Sequence, residues 1–171
     1  MPYERMKLWG KLLHDLGERH QGRVVYASLT QAMLDDTRTE QPDADGVAEF
    51  IANARGADVT LLLRELGPAA TRVSIRTSAA VSAAAIAKPF SGGGHVRRAG
   101  CTVPAPLQQA VAQVLDVCDS VLADAPIHDA TVARSASAWT PSSGKRAVMI
   151  SQVAPAVPST RFSSPNPGLV V

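Results

Sequence analysis

The chain has 171 residues, of which 46% are hydrophobic and 19% are charged. This length and apolar content suffice for one domain with its own core, and no run approaches the about 20 apolar residues that a membrane-spanning helix needs. The formal net charge is +2. Residues 1–124 hold 13 basic and 14 acidic residues, whereas residues 125–171 hold four basic residues and one acidic residue, so the positive charge comes from the second segment. Total charge therefore gives no support to nucleic-acid binding, and only its local distribution can.

The start of the chain and its few cysteines predict the compartment. Residues 1–5 include charges and no apolar segment of the secretory type. Cys101 and Cys118 are too few for a disulfide framework and too far apart for a Cys-x-x-Cys pair. We therefore expect a cytoplasmic protein that has no membrane partner and in which Cys118 is a small core residue.

The first half of the chain alternates helix and strand patterns. Apolar residues at helical spacing predict an amphipathic helix over residues 4–16, and the β-branched and aromatic run 24–29 predicts a buried strand. Thr30 is the predicted cap of a short helix. Asp45 is the predicted N-cap of the next helix, which Gly56 ends.

The middle of the chain predicts a hairpin and a short helix. Two strand-like runs, 59–66 and 72–77, flank a turn-forming segment that contains Gly-Pro. Ser82 is the predicted N-cap of a helix over residues 83–88. Pro89 ends this helix, because the residue before a proline is pushed out of helical geometry.

The last patterned elements are a short strand at 101–103 and a long amphipathic helix at 107–122. We place the end of the domain at residue 124. Residues 125–171 hold half of the 12 prolines and many serines, which predicts a disordered tail. The alternation of strands and helices predicts an α/β fold, with a small mixed β-sheet and helices packed on it.

Charge is divided along the chain. Residues 35–58 hold seven acidic and two basic residues, whereas residues 59–100 hold six basic and one acidic. An anionic ligand is therefore expected at the second segment, where Arg76 falls on the polar face of its strand. The acidic residues of the first segment are expected to be solvated or to cap helices.

Three consecutive glycines, Gly92, Gly93 and Gly94, stand directly before His95 and close to Arg98. Glycine lets a backbone approach a ligand and turn its N–H groups toward an anion, and the histidine and arginine add directed donors. This pattern favours a nucleotide or phosphate site. The structural alternative is a flexible linker or tight turn that the histidine pins in place.

The order of motifs over residues 73–101 resembles that of a known family. A strand with an Arg-x-Ser ending precedes an alanine-rich helix with Ile-Ala-Lys, then Gly-Gly-Gly-His and a closing Ala-Gly. This order resembles the DHH-associated domain, the substrate-binding half of the DHH phosphoesterase superfamily. Within that superfamily it is most similar to the nanoRNase type of bacterial oligoribonuclease, which also dephosphorylates adenosine 3′,5′-bisphosphate. The likeness extends over about residues 3–123.

The resemblance implies roles for particular residues. The three glycines at 92–94 would give backbone donors and close approach to a nucleotide, and His95 would bond to the ligand or stack on it. Arg76 would contact a phosphate or the 3′-terminal nucleotide. Arg98 is a further candidate, although it stands where the family pattern has alanine.

The resemblance also implies a catalytic half, which carries an Asp-His-His motif and aspartates that hold two divalent metals, manganese or magnesium. This chain has no such motif. We therefore expect it to bind no metal or cofactor, and to recognise short single-stranded RNA or a nucleotide phosphate without hydrolysing it. A separately encoded catalytic half is a candidate partner. The alternatives are a protein-interaction module, an inactive remnant, or the binding domain of a cyclic-dinucleotide phosphodiesterase or single-strand exonuclease of the same superfamily.

Overall fold

The centre of the fold is a six-stranded sheet, seen in a computed structural model that describes residues 1–123. Its strands lie in the order β1-β2-β3-β4-β6-β5. Strands β2 and β3 are parallel, and every other neighbouring pair is antiparallel. The strands are β1 (Gly17–Arg19), β2 (Val24–Leu29), β3 (Val59–Gly67), β4 (Ala70–Thr77), β5 (Gly93–His95) and β6 (Arg98–Val103).

Five α-helices and two short 3₁₀ turns surround the sheet. The α-helices are α1 (Tyr3–His14), α2 (Gln31–Thr37), α3 (Val47–Ile51), α4 (Ala83–Ala87) and α5 (Leu107–Ala123). The 3₁₀ turns are Gln41–Ala44, just before α3, and Lys88–Phe90, just after α4. Within residues 1–123, no helix is long and apolar enough to cross a membrane.

The two faces of the sheet are covered unequally. Helices α4 and α5 pack over apolar side chains of β2, β3, β4 and β6 and form the larger core. Helices α1, α2 and α3 lie on the opposite face, where their apolar side chains pack on Ala27, Leu29 and Leu62 of β2 and β3. None of the described residues of β4, β5 or β6 joins this second cluster. The polar face of these three strands therefore has no apolar cover.

The predicted α/β fold with a mixed sheet is confirmed. Both predicted hydroxyl caps are also present. Thr30 Oγ1 accepts a hydrogen bond from the Met33 amide at 3.2 Å, and Ser82 Oγ accepts one from the Ala85 amide at 3.3 Å. Each hydroxyl satisfies an amide that the first turn of its helix leaves without a partner.

Three helix ends differ from the prediction, and one of them is the end of α3, which lies at Ile51 and not at Gly56. Helix α1 ends at His14, so Leu16 lies beyond it and is partly exposed. The predicted N-cap role of Asp45 is wrong, because α3 begins after Gly46, whose φ of 93° lies in the left-handed region that favours glycine. The Asp45 carboxylate instead pairs with the Arg64 guanidinium at 2.8 Å.

Two three-residue strands were not predicted. Strand β1 pairs with β2, and β5 forms the other edge of the sheet beside β6. The second of these includes Gly93, Gly94 and His95, so part of the predicted glycine loop is an edge strand.

Both cysteines are free and buried, and burial raises the pKa of the Cys118 thiol to about 12. The prediction that Cys118 is a core residue is confirmed. The predicted tail, 125–171, and the boundary at residue 124 lie outside the described residues.

Candidate functional site

Three predicted site residues from three strands lie side by side. His95 of β5 is opposite Arg98 of β6, which in turn is opposite Arg76 of β4. Residues paired across neighbouring strands share a face of the sheet, and this face is the one opposite the buried Ile75. We call these three side chains the His–Arg row. His95 and Arg98 are exposed, and Arg76 is largely buried.

The glycines give the row a nearly bare neighbouring surface. Two residues along the strands, and so on the same face, Gly93 pairs with Gly100, and Gly100 pairs with Ser74. A Cβ added at Gly93 would meet no atom within 4 Å, so this position is open to a ligand. The backbone here can therefore be approached closely.

The other two glycines are required by packing. A Cβ at Gly94 would lie 2.5 Å from the Arg98 carbonyl oxygen, and its φ of +149° is in the region that favours glycine. A Cβ at Gly92 would lie 2.5 Å from the Gly100 carbonyl oxygen. The Gly92 amide also donates a hydrogen bond to the Ala87 carbonyl at 3.1 Å, so this predicted donor is already used within the fold.

Backbone hydrogen bonds fix the turn between β5 and β6. The Val96 carbonyl accepts hydrogen bonds from the Ala83 amide at 2.6 Å and from Thr77 Oγ1 at 3.2 Å. The Thr77 amide donates to the Arg97 carbonyl at 3.2 Å. The turn is thus tied both to the start of α4 and to the end of β4. These ties position His95 and Arg98 beside Arg76.

Glu49 of α3 is the counter-ion of the row. Its two carboxylate oxygens accept hydrogen bonds from Arg76 Nε at 3.1 Å and Nη2 at 3.0 Å, a bidentate pair. Arg98 donates to the same carboxylate. The Arg76 hydrogen bond is the largest influence holding the pKa of Glu49 below its usual range, and the charges of both arginines act in the same direction. Glu49 therefore has a specific partner, contrary to the prediction of solvated or capping acidic residues.

A cleft of about 430 Å³ lies next to the row, and we call it the side cleft. Its floor consists of Arg64 from β3 and Arg72, Ser74 and Arg76 from β4. Its wall comes from the segment that includes the first 3₁₀ turn and α3. The sequence prediction missed Arg72 and Ser74, although both alternate with Arg76 and so had to share its face.

Within residues 1–123, no three His, Cys, Asp or Glu side chains come together in a group suited to a metal ion. This part of the chain therefore has no ligand set for the two divalent metals that the family resemblance implies.

Comparison with known proteins shows the family of this chain. The family model for the DHHA1 domain matches residues 21–124, more than half of the chain. The chain belongs to the DHHA1 domain family. The predicted resemblance to the DHH-associated domain is thereby confirmed.

Two known proteins are similar to this DHHA1 domain. The bifunctional oligoribonuclease and PAP phosphatase NrnA of Thermus thermophilus is 34% identical over 116 residues, which is 67% of this chain and 34% of that protein. The chain thus spans about a third of the length of this relative. The crystal structure of an exopolyphosphatase-related protein from Bacteroides fragilis superposes with a TM-score of 0.65 at 19% identity, covering 70% of this chain and 35% of the other. This second likeness concerns the fold.

Proposed function

We propose that this DHHA1 domain is the substrate-recognition part of a DHH-type phosphoesterase. It binds short single-stranded RNA or a nucleotide phosphate at the His–Arg row and does not hydrolyse the ligand by itself. The observation that carries the proposal is the register that brings His95, Arg98 and Arg76 together on a sheet face that the second apolar cluster does not cover. The name of the Thermus thermophilus relative, an oligoribonuclease and PAP phosphatase, supports a nucleotide ligand.

The chemistry of the row suits a phosphate. Arg76 has a planar guanidinium that already makes a bidentate contact with a carboxylate, and the same geometry matches two phosphate oxygens. Arg98 adds a second guanidinium on the same side, and His95 adds an aromatic ring on which a base can stack. The bare backbone at Gly93 leaves room for that base or its sugar.

Catalysis is assigned to a separate part. Hydrolysis of a phosphodiester by this superfamily uses divalent metals held by clustered carboxylates and histidines. We propose that a DHH catalytic half, on another chain or another segment, supplies these metals, and that the row holds the substrate against it.

The test is an NMR titration of the 171-residue chain with a 5′-phosphorylated RNA dinucleotide. We expect shifts at the amides of residues 92–98 and at Arg76, and weaker binding after His95→Ala or Arg76→Ala. Arg19→Ala is the matched control, because Arg19 lies on β1 at the opposite edge of the sheet. No shift at millimolar dinucleotide would overturn the proposal in favour of an interaction module.

A second measurement addresses the catalytic claim. The same chain is incubated with the dinucleotide and manganese or magnesium, and the products are followed by chromatography. We expect no cleavage. Cleavage that Arg76→Ala abolishes would show that the chain is an enzyme without a partner.

A further inference from the structure

We infer that the side cleft is a second phosphate subsite, which makes the preferred ligand a nucleotide chain with at least two phosphoryl groups rather than a mononucleotide. This inference rests on the proposed function, because it takes the His–Arg row as the first subsite.

The positions of the floor residues support two subsites on one surface. Arg72, Ser74 and Arg76 occupy alternate positions of β4, so their side chains share a face. At about 3.3 Å per residue, the Cα atoms of Arg72 and Arg76 are about 13 Å apart. Arg64 is directly opposite Arg72 on β3. A second pair of guanidinium groups thus lies farther along the sheet from the row.

The side cleft holds donors that the fold does not use. Among residues 1–123, neither the Arg72 side chain, which is exposed, nor the Ser74 hydroxyl makes a hydrogen bond or ion pair. Arg64 donates through Nη2 to Asp45 at 2.8 Å and through Nη1 to the Gln41 carbonyl at 3.5 Å, whereas its Nε is buried without a partner. Gln41 Oε1, an acceptor in the same cleft, is also buried and unpaired, and a hydroxyl, an N–H group or water can satisfy it. Because unpaired buried polar groups cost free energy, a ligand or water that satisfies them is favoured.

The charge of the side cleft suits a phosphodiester. The cleft is lined by three arginines, Arg64, Arg72 and Arg76, and by two carboxylates, Asp45 and Glu49. Asp45 is paired with Arg64, and Glu49 with Arg76. Arg72 is therefore the surplus charge. One positive charge matches the single negative charge of a phosphodiester better than the −1.5 to −2 of a phosphate monoester.

The size and walls of the side cleft allow more than a phosphate. A volume of about 430 Å³ lies within the range of small-molecule sites. Gly46 and Ala48 make the wall shallow, and Leu66 offers an exposed apolar side chain at the rim. These surfaces can contact the sugar or base attached to the second phosphate.

The test compares three ligands by calorimetry on the 171-residue chain: adenosine 5′-monophosphate, 5′-phosphorylated diadenylate and 5′-phosphorylated triadenylate. We expect Arg72→Ala to weaken the diadenylate and the triadenylate about tenfold, as loss of a charge-assisted hydrogen bond does, and to leave the monophosphate unchanged. Ser74→Ala should weaken the two longer ligands less, and Arg72→Lys should fall between Arg72→Ala and the parent. Arg19→Ala, which removes an equal charge at the far edge of the sheet, should change none of them.

The outcomes separate this inference from the proposed function. If the parent binds none of the three ligands, the proposed function fails and this inference fails with it. If all three bind and depend on His95 and Arg76, but Arg72→Ala affects them equally or not at all, only the second subsite is wrong. A thermal melt of each variant confirms that the exposed Arg72 has been replaced without unfolding the chain.

Discussion

The two faces of β4 and β6 have the same backbone and opposite roles. On one face, Val73, Ile75 and Cys101 are buried under α4 and α5. On the other, Arg76 and Arg98 lie beside an open surface. In each of these strands, alternate residues therefore face the core, and the residues between them face the candidate site. We therefore expect substitutions on the first face to lower stability and substitutions on the second face to weaken binding.

The largest expected effect is on the buried face. Ile75→Ala removes a fully buried side chain, and we expect it to lower the free energy of unfolding by about 2–5 kcal/mol, measured in urea. Its neighbour Ser74 is the matched control on the open face, where Ser74→Ala should stay within about 0.5 kcal/mol of the parent. Equal losses for the two variants would contradict the division of roles.

The next effect is on the open face and concerns binding. Arg76→Ala should weaken binding of a 5′-phosphorylated dinucleotide by about 10-fold to 100-fold, because a charge-assisted bond of about 1.5–3 kcal/mol is lost. Because Glu49 is about half exposed, loss of the ion pair should cost little stability. Calorimetry and urea unfolding of the same variant measure both quantities. A variant that loses stability and keeps its affinity would reverse the comparison.

Two glycine variants separate stability from binding within β5. Gly94→Ala should destabilise the chain by about 1 kcal/mol or more, because of its positive φ and the close Arg98 carbonyl. Gly93→Ala meets no atom within 4 Å and should leave stability nearly unchanged. The same Gly93→Ala variant should weaken nucleotide binding, because its methyl group stands on the open surface. Thermal melts and calorimetry on both variants check this, and identical melts would contradict it.

The smallest expected effect comes from Glu49. Its carboxylate competes with a phosphate for Arg76 and Arg98, so Glu49→Gln should tighten dinucleotide binding by about twofold to fivefold, the range of an exposed ion pair. Glu18→Gln, on the distant β1, removes an equal charge and should have no effect. Weaker binding by Glu49→Gln would mean that the carboxylate orients the arginines instead.

The lowered pKa of Glu49 also gives a dependence of stability on pH. A depressed pKa means that the pair stabilises the fold above the ordinary glutamate pKa of about 4.3 and that this contribution is lost as pH falls through the lowered value. Glu49→Gln should therefore show a smaller loss of stability than the parent over that acidic range. Urea unfolding at several pH values measures this, and parallel curves would contradict it.

Sequence reasoning predicted the elements whose patterns are local. Strands β2, β3 and β4 carry apolar and β-branched runs, and α5 carries an apolar stripe over four turns. Strands β1 and β5 have three residues each and no apolar alternation, so they form only because a neighbouring strand offers its edge. These strands depend on pairing with distant parts of the chain, which leaves no local pattern in the sequence.

The candidate site divides in the same way. Strand alternation predicts the polar face on which Arg76 lies, whereas the ligand-binding roles of Arg76 and His95 come from the family resemblance and stay a prediction. The contact of Glu49 with Arg76 could not be predicted, because 27 residues separate the two and the contact depends on how α3 lies against β4. Arg98 could be recognised only as a departure from the family pattern, and the sheet register supplied its neighbours.

The equal numbers of basic and acidic residues in the described part of the chain have a consequence for the rate of ligand association. Residues 1–123 carry 13 basic and 13 acidic residues, so the described part of the chain has no net charge with histidines neutral. At physiological salt, screening removes most of the remaining local field beyond about 8 Å. An approaching anion is therefore not steered from a distance, and its association rate should be that of an ordinary encounter, about 10⁵–10⁶ M⁻¹s⁻¹. Differences in affinity among ligands and variants then arise in how long the complex lasts.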